Sequence, residues 1–95
     1  MFVITLTYRV DLEEIDAALA DHIAWLDQQY IDGVFIASGR RVPRVGGVIL
    51  ARDVSAAELE QRLAADPFRS RGLADYAVTE FVVSRAADGF ESLLS

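Results

Sequence analysis

The chain has 95 residues, 53% of them hydrophobic and 25% charged, which predicts one globular domain over residues 1–95 and excludes a disordered chain. Nine basic residues, all Arg, against fifteen Asp and Glu give a net charge of −6, which argues against nucleic acid as a partner because phosphate recognition needs a basic face. The absence of cysteine excludes disulfide frameworks, thiolate metal sites and a cysteine nucleophile, and no apolar run is long enough to cross a membrane.

Met1-Phe2-Val3-Ile4 has no basic segment and runs straight into a strand pattern, so the expectation is a cytoplasmic protein without a signal peptide. From Phe2 to Arg9 the residues alternate: Phe2, Ile4, Leu6 and Tyr8 on one side, Val3, Thr5, Thr7 and Arg9 on the other. That period predicts the first strand. Asp11 and Glu14 have the spacing of a capping box and start a helix. Leu12, Ile15, Leu19, Ile23, Leu26 and Tyr30 recur at helical spacing and predict its apolar stripe, with Trp25 off that stripe and available for a dimer contact. Asp32-Gly33 ends the helix.

Val34 to Ser38 reads as a second strand and Gly46 to Arg52 as a third, with Gly39 to Val45 as the loop between them. Ser55 and Glu58 form a second capping box ahead of a helix whose apolar side carries Leu59 and Leu63. Ala65-Asp66-Pro67-Phe68 breaks that helix, and Ala74 to Val83 is a fourth strand. The tail from Ser84 has room for a turn of helix between Gly89 and Leu94.

The order β-α-β-β-α-β predicts an α+β, ferredoxin-like fold: an antiparallel four-stranded sheet with two helices on one face. The opposite face would carry Val3, Thr5 and Thr7, and the fourth strand reads as apolar on both sides, with Ala77 and Phe81 on one and Val78 and Val82 on the other. A sheet face this apolar predicts a homodimer in which two sheets face each other.

Chemistry has few places to reside. His22, the sole histidine, falls beside Ile15 and Leu26 at the edge of the predicted stripe, where a ring touches the core and still reaches a cavity. It reads either as a boundary side chain bonded to a nearby carbonyl or as a general base. Asp66 before Pro67 reads as a helix N-cap, or as a carboxylate that orients His22. Ser38, Gly39 and Arg40 begin a loop with Arg41 and Arg44 that offers a hydroxyl, open backbone and guanidinium groups for a carboxylate or phenolate; it reads equally as a solvated loop. No phosphate-binding loop, dinucleotide fingerprint or metal-ligand spacing is present, so the expectation is no cofactor and no metal.

His22-Ile23-Ala24-Trp25-Leu26, Gly33-Val34-Phe35-Ile36-Ala37-Ser38-Gly39, Gly46-Gly47-Val48-Ile49, Asp66-Pro67-Phe68 and Gly72-Leu73 together resemble the YCII-related (YciI-like) family over nearly the whole chain. The resemblance implies a ferredoxin-like dimeric α/β barrel with a pocket in each subunit. It also implies a His–Asp pair as the active site, which falls on His22 and Asp66. The family includes a dehydrochlorinase that removes hydrogen chloride from an aromatic substrate. Two departures stand out: Leu19 where many relatives carry Arg, and Gly39-Arg40 where many have Gly-Pro, so the substrate does not carry over.

The reading that results is cofactor-free acid–base chemistry by His22 and Asp66 on a small cyclic or aromatic compound, an elimination or isomerisation, with Ser38, Gly39 and Arg40 binding the substrate. Two other readings stay open: a non-catalytic small-ligand binding or accessory module, and a cofactor-free monooxygenase.

Overall fold

The computed structural model describes residues 1–95. Strand β1 (Phe2–Tyr8) follows the alternation of its sequence: Phe2, Ile4 and Leu6 are almost completely buried, and the residues between them face the other way. Burying a side chain of the size of Ile4 is worth roughly 1.5–3 kcal/mol, so this period decides which face of the strand meets the core. The first helix, α1 (Leu12–Ile31), crosses that face, and strands β2 (Phe35–Arg40) and β3 (Gly46–Ala51) form the following hairpin. Helix α2 (Ala56–Ala64), the one-turn helix α3 (Pro67–Ser70) and strand β4 (Ala74–Glu80) complete the fold, and the tail holds a short 3-10 turn at Glu91–Leu93.

The strands lie in the order β2-β3-β1-β4, and every neighbouring pair is antiparallel. β1 is thus an inner strand, and the α1 connection from β1 to β2 skips over β3. This is the ferredoxin-like α+β arrangement. The core lies between the inner sheet face (Phe2, Ile4, Leu6, Phe35, Ile49, Ala51) and the helices, which contribute Ile15, Ala18, Leu59, Leu63 and Phe68.

Several expectations from the sequence change here. Leu12, Ile23 and Tyr30 are exposed, and the buried line of α1 is Ile15, Ala18, His22 and Gln29. The helix is rotated from the predicted stripe because two polar side chains on its inner line find partners in the interior. His22 meets Asp66, and Gln29 accepts from Arg62 and donates to the Trp25 carbonyl. Trp25 is half-buried and has partners within the chain. It packs edge-on against Phe35 and donates its indole N–H to the Arg62 carbonyl at 2.9 Å.

The Asp11 side chain caps nothing; its backbone carbonyl takes the Glu14 N–H instead. Ser55 does cap α2, accepting from the Glu58 N–H at 3.1 Å. Gly33 follows α1 with φ of +76°, a left-handed conformation that glycine adopts without strain.

The strand ends also move. β2 extends through Arg40, so Gly39 and Arg40 are strand residues and not loop. β4 is regular only to Glu80, opposite Phe2, and one further bond, from the Phe81 N–H to the Met1 carbonyl at 2.9 Å, follows it. Phe81 and Val82 lie past the end of the strand. The open face of β4 is Asp75, Ala77 and Thr79, more polar than predicted, and the apolar content of that face comes from Val3, Val48 and Leu50.

Candidate functional site

The site is assembled from three parts of the chain. α1 carries His22 on its buried line. The break after α2 places Asp66 at the N-cap of α3, with Pro67 at the first helical position. β4 brings Tyr76 to the inner face, in register with Leu6.

His22 Nδ1 and Asp66 Oδ1 are 2.7 Å apart, and the carboxylate side chain is fully buried. The same Oδ1 accepts the Phe68 backbone N–H at 3.0 Å. Asp66 is thus both a helix cap and the partner of the histidine; the two readings of this residue are one arrangement. Its second oxygen, Oδ2, accepts the Tyr76 hydroxyl. Three donors thus converge on one buried carboxylate. The Tyr76 phenol is pushed far above its ordinary range, first by burial and then by the bond to Asp66, so it stays a neutral donor. The Arg69 guanidinium lies 5.7 Å from the centre of its ring.

The His22 ring is also held from the side. It stacks on Phe68 with centroids 3.9 Å apart and planes within 4°. Trp25 closes one edge, 5.7 Å from the His22 ring. With Nδ1–H given to Asp66, the histidine presents Nε2 as the nitrogen for chemistry.

His22 and Phe68 contribute to the wall of a cavity of about 300 Å³. Its apolar side is Leu6, Leu19, Leu26 and Ile49. Its polar side is Ser38, Arg40, Arg44 and Tyr8, with bare backbone at Gly39, Gly46 and Gly47. A bulge in β2 produces this side. The register slips between Phe35 and Ala37, so Ser38 pairs with Ile49 and Arg40 with Gly47, both inner-face positions. Without the slip, strand alternation from Phe35 would turn Ala37 and Gly39 inward instead.

The structure therefore brings His22 and Asp66 into contact and sets Ser38, Gly39 and Arg40 around the same cavity. Ser38 Oγ lies 2.6 Å from the Tyr30 hydroxyl. Arg44 is tied to Asp16 at 2.6 Å, and Arg41 reaches Thr7 Oγ1 at 3.0 Å. The sequence reading missed Tyr76. Its parity with Ala74 and Val78 was available as a signal, since a tyrosine on an inner strand face has to find a partner for its hydroxyl.

A family model described as the YCII-related domain matches residues 1–82, which includes His22, Asp66 and Tyr76. The chain belongs to the YCII-related family. No curated protein matches this YCII-related chain in sequence. Among solved structures it is similar to the 5-chloro-2-hydroxyhydroquinone dehydrochlorinase of Burkholderia phenoliruptrix, determined in complex with 2,5-dihydroxybenzoquinone. The TM-score is 0.73 at 20% identity, over 84% of this chain and 91% of that one. At that identity the likeness shows a shared fold. No helix of this YCII-related domain is long and apolar enough to cross a membrane.

Proposed function

We propose that this YCII-related chain is a small-molecule enzyme that works without a cofactor by acid–base chemistry at His22, with Asp66 as its partner. The observation that carries the reading is the His22 imidazole, bonded through Nδ1 to a buried carboxylate and set in the wall of an apolar cavity. A cavity of about 300 Å³ suits a single small ring. A small ring is also what the structurally similar dehydrochlorinase was determined with.

In this reading Nε2 takes a proton from a hydroxyl or an activated carbon of the substrate. The released electron pair forms a new double bond. Either a leaving group departs with its own pair, which is an elimination, or the proton returns at another position, which is an isomerisation. Asp66 fixes the tautomer and favours the imidazolium that forms. Tyr76 holds the carboxylate from behind and is a positioning residue. Ser38, the backbone at Gly39, and Arg40 hold the substrate. A positioned base of this kind supplies about 10²–10⁴-fold in rate.

The test is a screen of phenols, lactones and chlorinated aromatic compounds for turnover. His22→Ala and His22→Gln should both lose that activity by about 10²–10⁴-fold. The Gln variant keeps most of the packing on Phe68. Chelators should leave the rate unchanged. A His22 variant that folds and turns over at the wild-type rate would refute the assignment and favour the ligand-binding module. Oxygen uptake with a quinol would favour the monooxygenase.

A further inference from the structure

We infer that the cavity selects a ring bearing a negatively charged oxygen, a phenolate, enolate or carboxylate, and that Arg40 is the residue that reads this charge. The inference rests on the cavity being the substrate site.

The chain carries fifteen Asp and Glu against nine Arg, yet no carboxylate lines the cavity. Its charged and titratable wall groups are Arg40, Arg44, His22 and Tyr8. Arg44 is committed to Asp16, though its Nε is a buried donor without a partner. The other arginines have partners elsewhere: Arg9 with Asp75, Arg52 with Asp53, Arg62 with Asp32 and Glu58, Arg69 with Glu60, Arg71 with Asp21, and Arg41 with the Thr7 hydroxyl. Only the side chains of Arg40 and Arg85 have neither an ion pair nor a hydrogen bond, and Arg85 does not line the cavity.

The placement of Arg40 is specific. The β2 bulge puts it on the inner face, two residues from Ser38, and its ladder neighbour is Gly47, which has no side chain to fill the space beside it. An unpaired guanidinium beside an apolar wall attracts an anion more strongly than one in open water, because the wall lowers the local dielectric. The five-donor fork of Arg donates two bonds to a carboxylate or one to a single phenolate oxygen. The same charge would stabilise oxygen anions that develop as His22 removes a proton. A cationic ligand would meet two arginines and no carboxylate.

The experiment measures dissociation constants for two isosteric pairs by titration, following the ring signals of the sole histidine by NMR. The pairs are benzoate against benzamide, and 4-nitrophenolate against 4-nitroaniline. Wild type should bind at least one of the anions about five- to tenfold more tightly than its neutral isostere, as expected for one partly exposed charged hydrogen bond. The pair that shows the preference separates carboxylate from phenolate or enolate recognition. Arg40→Gln should remove most of that preference and leave the neutral compounds unchanged, and Arg40→Lys should restore part of it. Equal binding of anion and neutral isostere, or a preference that survives Arg40→Gln, would overturn the inference while leaving the cavity as the substrate site. If none of the four compounds perturbs His22, the inference and the substrate-site reading fall together.

Discussion

Replacing Asp66 by Ala removes one carboxylate and strands three donors: the Phe68 N–H, His22 Nδ1–H and the Tyr76 hydroxyl. Loss of the N-cap alone costs about 1 kcal/mol. Each buried donor left without a partner adds roughly 1–3 kcal/mol, less where the cavity lets water in. His22 is 8% exposed and Tyr76 half-buried, so water reaches part of this group; the expected total is about 3–5 kcal/mol. For a domain with a stability of roughly 5–15 kcal/mol that is a large share. Asp66→Asn should cost less, about 1–2 kcal/mol, because the amide oxygen can keep the cap and the Nδ1–H bond while the amide nitrogen donates to the Tyr76 oxygen. Urea unfolding followed through the single tryptophan, Trp25, reads both values, since it packs in the core and should change emission on exposure. Activity on any substrate found should follow the order wild type, Asp66→Asn, Asp66→Ala. An Asp66→Ala protein within about 1 kcal/mol of wild type would show that the carboxylate does not hold this junction together, and the argument from its three hydrogen bonds would fail.

The raised Tyr76 phenol makes a signed pH prediction: above the ordinary tyrosine value of 10.0 the unfolded chain loses this proton and the folded one keeps it. Stability is therefore present below that pH and declines above it, by about 1.4 kcal/mol per pH unit for one group, and Tyr76→Phe should flatten that part of the profile in urea titrations. A Cβ at Gly46 would lie 1.7 Å from the Leu6 carbonyl oxygen, so Gly46→Ala should disrupt the β1–β3 ladder, and a thermal midpoint equal to wild type would contradict this. The open sheet face with Val3, Val48 and Leu50 is proposed to pair with a second copy; sedimentation should show a dimer at micromolar concentration and a monomer for Leu50→Glu, and a wild-type monomer would remove the proposal.

The strand β1 was legible residue by residue, because a two-residue period survives any tertiary context that keeps one face buried. The inner line of α1 was less so. Counting large apolar residues selected Leu12, Ile23 and Tyr30, while burial went to Ala18, His22 and Gln29, whose inward position depends on partners in α2 and at the start of α3. The contact between His22 and Asp66 spans 44 residues, and no local spacing encodes it; the family resemblance suggested the pair and the fold shows how it meets. Ser38 and Arg40 were singled out as loop residues, but their inward direction comes from a register slip at Ile36, and a bulge of that kind leaves no mark in an alternating pattern. The ends of β2 and β4 were also misplaced.

Phe68 holds both halves of the site. Its amide is bonded to the Asp66 carboxylate while its ring lies flat against His22. His22 and Asp66 are consequently held together while this residue stays in place, and unwinding of α3 would release both. The site should open as one unit in a local unfolding event, in which the Phe68 amide proton exchanges with solvent as His22 loses its stacked neighbour. Hydrogen exchange at that single amide then reports how often the protein spends time with its imidazole and carboxylate uncoupled.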